Sequence, residues 1–541
     1  MKFKMIRTAE EAAIAHYELE RFMLETPYGS LGSAEGIIAR TPPAEIEWSI
    51  SWGKLILSWW DAEQSQSVRI TGYTIESTRA ILLVIQGLSA EAWQLVIDRQ
   101  REGRGAALEV APEDLRSRRK WYAARLAAVV RHSLPGVRIR HWSAGANLRH
   151  RVPGCFARLI LTRRSETILA IGASQAEKDT PIDNLIAAGL IWFCSYNADR
   201  HPPGRATRLW FFAAGERALT LSERLPLLRA GDGRERLACF EFDELRGEIT
   251  EIRAVSQLEL LTSPPRDLLW PEVTASLDPA VQEWHGRLAG LIPEMPTLIE
   301  PRYRPARRSI CYEINGLEFA RLPIDDWRSA EFGIPGEPGR TGRRQRPLTE
   351  RSLPELRQLV EEICRLRHAA TPDQRHPIFR LRTEGWLESL LRRNIRAIDP
   401  ELDPRHVYSQ IPAWHADQRG VIDLLTIKNE YSSSPERGRL VVIEIKATED
   451  LTLPLQGLDY WMRIEQARVR GEFGRHGLFA GAEIADRPPL LYLVAPRLRF
   501  HRSFQTIARC IAPEIDAWRI GLNSNWREGV RAHTLDLLRD L

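Results

Sequence analysis

The most constraining stretch of this chain runs from Leu440 to Ala447 and reads LVVIEIKA. An apolar run of this length predicts a buried β-strand, yet it contains Glu444 and Lys446. Because a strand alternates its faces, these two charged side chains lie on the same face. Desolvation tends to cancel the attraction within a buried ion pair, so stability alone does not explain the two charges. A site that binds metal and water would explain both.

The lysine departs from the chain's usual choice of basic residue. Only seven of the 76 basic residues are lysines, which leaves 76 − 7 = 69 arginines. A lysine ammonium is a compact charge whose pKa shifts readily on burial, whereas a guanidinium stays protonated. We therefore expect Lys446 to act on water or on developing charge.

Polar residues also interrupt the segments on either side of this strand. Upstream, Asp423 is the one acidic residue of an apolar strand predicted over residues 420–427. Downstream, a helix is predicted to open at Pro454. It places Gln456 and Tyr460 on one face, because they are four residues apart.

A further helix is predicted to begin at Thr383, upstream of both strands. Thr383 is expected to cap this helix, since threonine side chains accept hydrogen bonds from first-turn amides. Glu384 and Glu388 follow one turn apart and therefore lie on the same side of the helix.

This ordered set resembles the PD-(D/E)XK nuclease superfamily and, within it, the RecB-like branch. The resemblance covers roughly residues 376–500 and implies a mixed-sheet, restriction-endonuclease-like αβββαβ core. The matching residues are Glu384 or Glu388, Gly420 with Asp423, Glu444-Ile445-Lys446, and Gln456 with Tyr460. One departure is the long polar hairpin from Lys428 to Gly438, which is predicted to be a surface loop.

The chemistry of phosphodiester hydrolysis assigns a role to each polar residue of the two strands. Magnesium takes oxygen ligands, keeps several waters and uses only one or two carboxylates. Asp423 and Glu444 are the expected ligands of Mg²⁺ or Mn²⁺, with the Ile445 carbonyl as a third. Lys446 would position the nucleophilic water or stabilise developing charge.

The two helices are expected to complete the site. Glu384 or Glu388 would hold a metal-bound water, and Glu388 is favoured. By resemblance, Gln456 and Tyr460 line the site and contact the nucleic-acid backbone. Simpler interpretations stay open: a surface pair of Glu388 with Arg392, core packing of Gln456 and Tyr460, and a buried Glu444–Lys446 pair in a decayed enzyme.

The 541 residues predict a multidomain α/β protein with four segments. Residues 1–110 form a helix and a small β-rich region, and residues 111–300 form an α/β module. Residues 301–350 contain a hairpin around Asn315-Gly316 and a linker rich in glycine, proline and arginine. Residues 351–541 form the nuclease-like domain.

The α/β module repeats the predicted element order of the C-terminal domain. Aligning the third strands places Ala170 on Glu444 and Gly172 on Lys446, and Arg158 falls where Asp423 stands. The module is therefore interpreted as a degenerate copy of the same core that has lost its metal ligands. The alternative is that this element order is simply common among α/β proteins.

Composition and charge restrict the other functions. A net charge of +5 confines any basic nucleic-acid surface to a local patch, and the six cysteines have no paired metal spacing. The longest apolar run, Leu185 to Cys194, is too short to span a bilayer, and no signal-peptide core follows Met1. We expect a cytoplasmic protein that does not enter membranes. Its oligomeric state is not predicted.

The sequence is consistent with two alternative functions. The leading prediction is a metal-dependent nuclease acting on nucleic acid, with DNA favoured. The alternative is a non-catalytic nucleic-acid-binding or scaffold protein that keeps a residual nuclease fold. No phosphate-cradling loop occurs in the sequence, so any ATPase or helicase activity would come from a protein partner.

Overall fold

The structure is a computed structural model, and the parts of the chain that it describes are residues 3–24, 29–33, 36–41, 46–60, 65–76, 79–85, 93–99, 115–145, 152–177, 181–198, 204–229, 236–253, 255–262, 279–293, 297–304, 307–335, 345–415, 418–429 and 437–540. The predicted surface loop after Lys428 and most of the predicted arginine-rich linker, at residues 336–344, lie outside these ranges. The chain is a multidomain α/β protein with two compact units. One unit comprises Met1–Ser222 with Ala230–Ala254, and the other comprises Glu223–Arg229 with Val255–Leu541.

The first sheet is antiparallel and packs against helix α1, Ala9–Leu24. Its eight strands are β1 Lys4–Met5, β2 Gly29–Ser33, β3 Gly36–Thr41, β4 Ile46–Ser51, β5 Lys54–Trp60, β6 Ser65–Ile75, β7 Arg79–Ile85 and β8 Trp93–Arg99. The core between helix and sheet is formed by aliphatic and aromatic side chains such as Leu19, Phe22 and Leu57.

The second sheet contains six strands and three accompanying helices. These elements are α2 Leu115–Ser133, β9 Val137–Ser143, β10 Ala157–Arg163, β11 Glu166–Gly172, α3 Ile182–Ala198, β12 Ala206–Ala213, α4 Gly215–Arg224, β13 Leu237–Asp243 and β14 Glu248–Ile252. Tyr122 and Leu126 of α2 pack with Leu159 and Ala170 on one face of the sheet.

The third sheet is smaller and antiparallel, and it belongs to the second unit. The elements of this region are α5 Gln257–Thr262, α6 Pro279–Ala289, β15 Ile299–Arg304, β16 Ser309–Ile314, β17 Leu317–Pro323, β18 Glu331–Phe332, β19 Arg346–Pro347 and α7 Leu353–Leu366. The predicted hairpin is present, because Asn315 and Gly316 connect β16 to β17 with φ of 47° and 70°.

The fourth sheet carries the predicted functional residues. Its elements are α8 Pro377–Arg380, α9 Thr383–Arg393, β20 Tyr408–His415, β21 Gln418–Asn429, β22 Arg437–Ile445, α10 Leu453–Val469, α11 Glu472–Arg475, β23 Glu483–Ile484, β24 Leu490–Pro496, α12 Phe504–Ala508, β25 Ala517–Leu522 and β26 Ala532–Leu537. Ile443 and Ile445 of β22 pack in the core with Leu387 of α9. Glu444 must therefore point to the opposite face, toward α10.

The second and fourth sheets share one topology. The strand orders are β9-β10-β11-β12-β13-β14 and β20-β21-β22-β24-β25-β26. In both, the first three strands are antiparallel neighbours, two parallel pairings follow, and the last strand is antiparallel. The strand order predicted for a duplicated core is therefore present.

In both sheets, the helix that connects two parallel strands has a glycine where it packs against the sheet. A Cβ on Gly457 of α10 would lie 2.5 Å from Leu493 and 3.6 Å from the Cβ of Glu444. A Cβ on Gly189 of α3 would lie 2.6 Å from Phe211 and 3.2 Å from Ile171. Each glycine therefore lies against a pair of facing residues on two parallel strands, Glu444 with Leu493 and Ile171 with Phe211. The two glycines thus occupy corresponding places.

The start of α9 differs from the sequence prediction. Thr383 is the first helical residue and does not cap the helix; its hydroxyl donates to the Arg380 carbonyl at 2.8 Å. The cap position is Arg382, in the left-handed conformation with φ of 44°. The Gly316 turn packs directly on the backbone of Gly385, in this same first turn of α9.

This packing predicts an unusually costly substitution, Gly316→Ala. A left-handed φ costs an alanine about 1–2 kcal/mol, and the added methyl group would also overlap the Gly385 carbonyl. The matched control is Gly477→Ala, which has a similar φ of 67° with nothing within 4 Å. In chemical denaturation of the full chain, Gly316→Ala should lose clearly more unfolding free energy than the control. Equal losses would show that the turn does not press on α9.

Candidate functional site

Asp423 and Glu444 are brought together by the pairing of their strands. Leu424 of β21 lies opposite Ile443 of β22 in an antiparallel register, and one further step places Asp423 opposite Glu444. The Ile445 amide donates to Asp423 Oδ2 at 2.8 Å, which fixes the carboxylate at the end of β22. The two carboxylates therefore share one face of the sheet.

Lys446 lies at the point where β22 leaves the sheet. Its amide donates to the Val494 carbonyl of β24, and its Nζ donates to Glu444 Oε1 at 2.8 Å. The side chains of Lys446 and Glu444 are only 12% and 3% exposed. Burial lowers the pKa of Lys446, but the carboxylates of Glu444, Asp423 and Glu384 outweigh burial and raise that pKa above its ordinary value. The ammonium is therefore held in its charged form.

Glu444 is buried and Asp423 is half-buried, and this environment disfavours the charged form of both carboxylates. Desolvation raises the pKa of Asp423 well above 3.8, and the negative charge of Glu444 raises it further. Burial also raises the pKa of Glu444, although Lys446 opposes this by charge and by hydrogen bonding. When both groups are ionised, no protein donor within the described residues reaches Glu444 Oε2. This oxygen is free to accept a cation or water.

The two helix carboxylates have different surroundings. Glu388 is buried, and Arg302 of β15 donates to its Oε1 at 2.8 Å. The predicted partner Arg392 is farther away, with its Nε 3.9 Å from the same oxygen. Glu384 is exposed, and its charge acts on Glu444 and Lys446. Glu384 is therefore exposed to solvent, whereas Glu388 is hydrogen-bonded to Arg302.

Gln456 and Tyr460 lie on the helix above the site. The Val421 amide, two residues before Asp423, donates to the Tyr460 hydroxyl at 3.3 Å. Burial raises the pKa of Tyr460, and Glu444 raises it further, so the phenol stays protonated. Gln456 Oε1 is buried without a hydrogen-bond partner among the described residues. Tyr460 can therefore interact at the site as a neutral hydroxyl, and Gln456 carries an unpartnered oxygen one turn earlier on the same helix.

Two further residues contact the site that the sequence analysis did not identify. Gln410 interrupts the pairing of β20 with β21 and has a left-handed φ of 55°, and its amide nitrogen lies 3.5 Å from Asp423 Oδ1. Left-handed conformations are unfavourable for glutamine and cluster at functional sites. Arg302 is one of 69 arginines and belongs to no motif. Neither residue carries a sequence signal that could have found it.

The residues present fit a small divalent cation. Lys446 balances one of the two carboxylates of Asp423 and Glu444, and Arg302 balances Glu388. One carboxylate of the Asp423–Glu444 pair is then left without a cation of its own among the described residues, and a divalent cation would balance it. No cluster of three or more His, Cys, Asp or Glu side chains with metal-binding geometry occurs in the described ranges. A two-carboxylate site completed by water is the arrangement that Mg²⁺ favours, and zinc would need more protein ligands.

The second sheet has different side chains at the corresponding place. Ala170 of β11 packs in the core on the α2 side, whereas Ile171 lies beneath Gly189 of α3. Because Glu444 lies on the α10 side of its own sheet, its counterpart is Ile171. The predicted match of Ala170 with Glu444 is therefore wrong, since a shift of one residue along a strand exchanges the faces.

The predicted match of Gly172 with Lys446 is wrong for the same reason. The residue whose amide bonds to the crossover strand, as Lys446 does, is Ala173, which donates to the Phe212 carbonyl. The match of Arg158 with Asp423 agrees with the register, because Arg158 lies opposite Ile171. Arg158 is buried and donates to the Gly145 carbonyl at 2.5 Å. An arginine thus replaces the aspartate at this position.

No protein-family model, curated protein or solved structure matches this chain significantly. Among the helices within the described ranges, none is both long and apolar enough to cross a membrane.

The buried charges predict opposite stability effects for two substitutions in the metal-free protein. Asp423→Asn removes a carboxylate that burial disfavours, so it should raise the unfolding temperature at pH 7. Because the folded-state pKa of Asp423 is raised, the cost of ionisation is absent below about pH 3.8 and grows as the pH rises. The gain should therefore disappear in acid.

Lys446→Met should instead destabilise the metal-free protein at pH 7, by roughly 3 kcal/mol, because it leaves buried carboxylates without their cation. Thermal unfolding with a chelator present, at several pH values, measures both variants. The control is Asp486→Asn, which changes a fully exposed aspartate side chain. The same sign of shift for both variants would contradict this electrostatic account.

Proposed function

We propose that this protein is a metal-dependent nuclease that hydrolyses phosphodiester bonds, with DNA as the favoured substrate. The observation that carries the proposal is the pairing of Asp423 and Glu444 on one sheet face, with Lys446 bonded to Glu444. These are the residue types that phosphodiester hydrolysis needs, and they are buried at an energetic cost that folding alone does not explain. The C-terminal sheet would then be a restriction-endonuclease-like core of the PD-(D/E)XK type.

Asp423 and Glu444 are the proposed ligands of Mg²⁺ or Mn²⁺, and the Ile445 carbonyl remains the third candidate. When bound, such a cation would lower the pKa of a water and stabilise charge on the phosphate. The chain's own contribution is to hold the carboxylates in place. The backbone amide of Ile445 donates a hydrogen bond to Asp423 Oδ2, and the side-chain nitrogen of Gln410 lies 3.5 Å from Asp423 Oδ1.

Lys446 is proposed to orient the nucleophilic water and to stabilise negative charge on the phosphate as it develops. Its ammonium is kept protonated by the surrounding carboxylates, so it can donate hydrogen bonds but cannot act as a base at neutral pH. Of the two helix carboxylates, we propose that Glu384 holds a metal-bound water. This reverses the preference for Glu388, because Glu388 is bonded to Arg302 while Glu384 is exposed beside Lys446.

Gln456 and Tyr460 are proposed to contact the substrate backbone. Tyr460 offers a neutral hydroxyl, and the free Gln456 oxygen can accept a hydrogen bond from a water or a substrate hydroxyl. We further propose a cytoplasmic location, which the six free cysteines support, because free thiols persist in reducing compartments. A separate protein would supply any ATPase or helicase activity.

The second candidate function is a non-catalytic nucleic-acid-binding or scaffold protein. One observation favours it: the second sheet keeps the same topology with Arg158 and Ile171 in place of an acidic pair. This architecture therefore does not need its carboxylates to fold. The C-terminal sheet nevertheless retains Asp423, Glu444 and Lys446 together, and a scaffold has no need of them.

The proposal predicts cleavage that requires Mg²⁺ or Mn²⁺. Asp423→Asn removes a ligand charge and Lys446→Ala removes the ammonium, so both should lower the cleavage rate by at least about a hundredfold. The measurement is a time course on single-stranded, duplex and branched DNA, and on RNA, with and without chelator. Asp486→Asn serves as the exposed control and should cleave at the parent rate.

Circular dichroism should show that both site variants remain folded. If the parent binds nucleic acid but cleaves none of these substrates with either metal, the scaffold alternative is correct. If both site variants cleave as fast as the parent, the assigned roles are wrong.

A further inference from the structure

Arg302 of the small third sheet bonds to two elements of the fourth sheet region, α9 and β20. One terminal nitrogen of its guanidinium donates to Glu388 Oε1 of α9 at 2.8 Å, and the other donates to the Ser409 hydroxyl of β20. Ser409 pairs with Leu424, the residue after Asp423. A single buried guanidinium therefore joins α9 to β20, and β20 pairs with β21, the strand that carries Asp423.

The small sheet holds α9 at two other places. Its hairpin turn at Gly316 packs on the Gly385 backbone in the first turn of α9. Glu300 of β15 forms ion pairs with Arg392 and Arg393 in the last turn. Together with Arg302 at the middle of the helix, these contacts fix both the position and the rotation of α9, and hence of the two carboxylates that it carries.

The pairing of charges around Arg302 is asymmetric. If Glu388 is neutralised, Arg302 still has Glu313, whose carboxylate lies 3.6 Å away. If Arg302 is neutralised, Glu388 keeps the Arg392 Nε at 3.9 Å and the charge of Arg304. Glu313 retains Arg304 in either case. Burial raises the pKa of Glu388, and the adjacent Arg302 guanidinium is the main cation that opposes this rise.

We propose that Arg302 is a positioning residue of the metal site: by bridging Glu388 and Ser409 it sets the placement of Asp423, and it makes the nuclease activity depend on the small sheet. Glu388 is then the partner of Arg302 rather than a metal ligand. This inference rests on the proposed nuclease function and adds that β15, through Arg302, takes part in positioning the metal site.

The test uses four variants of the full-length protein. Arg302→Gln removes the charge, and Arg302→Lys keeps the charge but cannot donate to both partners, because an ammonium lacks the fork of a guanidinium. Glu388→Gln and the double variant R302Q/E388Q complete a cycle. The matched control is Arg346→Gln, which breaks an exposed arginine–glutamate pair of the same sheet. Cleavage rate is measured against Mn²⁺ concentration, together with the unfolding temperature.

We expect the Arg302 variants to need a higher Mn²⁺ concentration for cleavage. Residues that orient metal ligands typically change metal affinity or activity by about 10–100-fold when substituted. Arg302→Gln should raise the half-saturating Mn²⁺ concentration about tenfold or more, and Arg302→Lys should raise it by less. Glu388→Gln should have a smaller effect, and R302Q/E388Q should return toward the value of Glu388→Gln. Arg346→Gln should titrate as the parent does.

Three results would overturn the inference. If the Arg302 variants lower the unfolding temperature but titrate with Mn²⁺ as the parent does, Arg302 is only structural. If Glu388→Gln and the double variant both abolish cleavage while the parent is active, Glu388 is a direct ligand. In both cases the nuclease function survives. A parent that neither cleaves nor gains thermal stability with Mn²⁺ overturns the proposed function, and with it this inference. Should Arg302→Gln not fold, Arg302→Lys decides.

Discussion

The placement of the half-buried Asp423 beside the buried Glu444 is the constraint on which the candidate site depends. Two carboxylates at adjacent strand positions repel each other, and burial raises the pKa of both. The end of β22 supplies two groups that offset this cost. Lys446 donates to Glu444 from the end of the strand, and the Ile445 amide donates to Asp423. A divalent cation would complete the compensation.

The comparison of the two matching sheets shows what that constraint adds. In the second sheet the corresponding pair is Arg158 and Ile171, and the same strand order forms around them. The fold itself is therefore specified by the apolar pattern of strands and by the glycine at which each crossover helix meets its sheet, Gly189 or Gly457. The acidic pair is an addition to this scaffold, which is why we assign it to function.

Much of this could be predicted from the sequence because short-range patterns specify strands and helices. The apolar run around Glu444 predicted a buried strand, and the Asn315-Gly316 turn predicted a hairpin. Errors arose where a single residue step matters, as in the match of Ala170 with Glu444, because periodicity does not specify which face is buried against which helix. Arg302 was beyond prediction, since its contact with Glu388 spans 86 residues and depends on tertiary packing.

The central claim is that Asp423 and Glu444 form one site for a divalent cation. The most direct measurement is an anomalous difference map from crystals of the full-length protein grown with Mn²⁺. If a cation binds between them, a strong peak should lie within coordination distance of both carboxylates. No such peak should appear in Asp423→Asn crystals grown in the same way. A crystal of the parent protein with no peak at this position would contradict the proposed cation site. So would a crystal in which manganese binds only elsewhere and Lys446 remains bonded to Glu444.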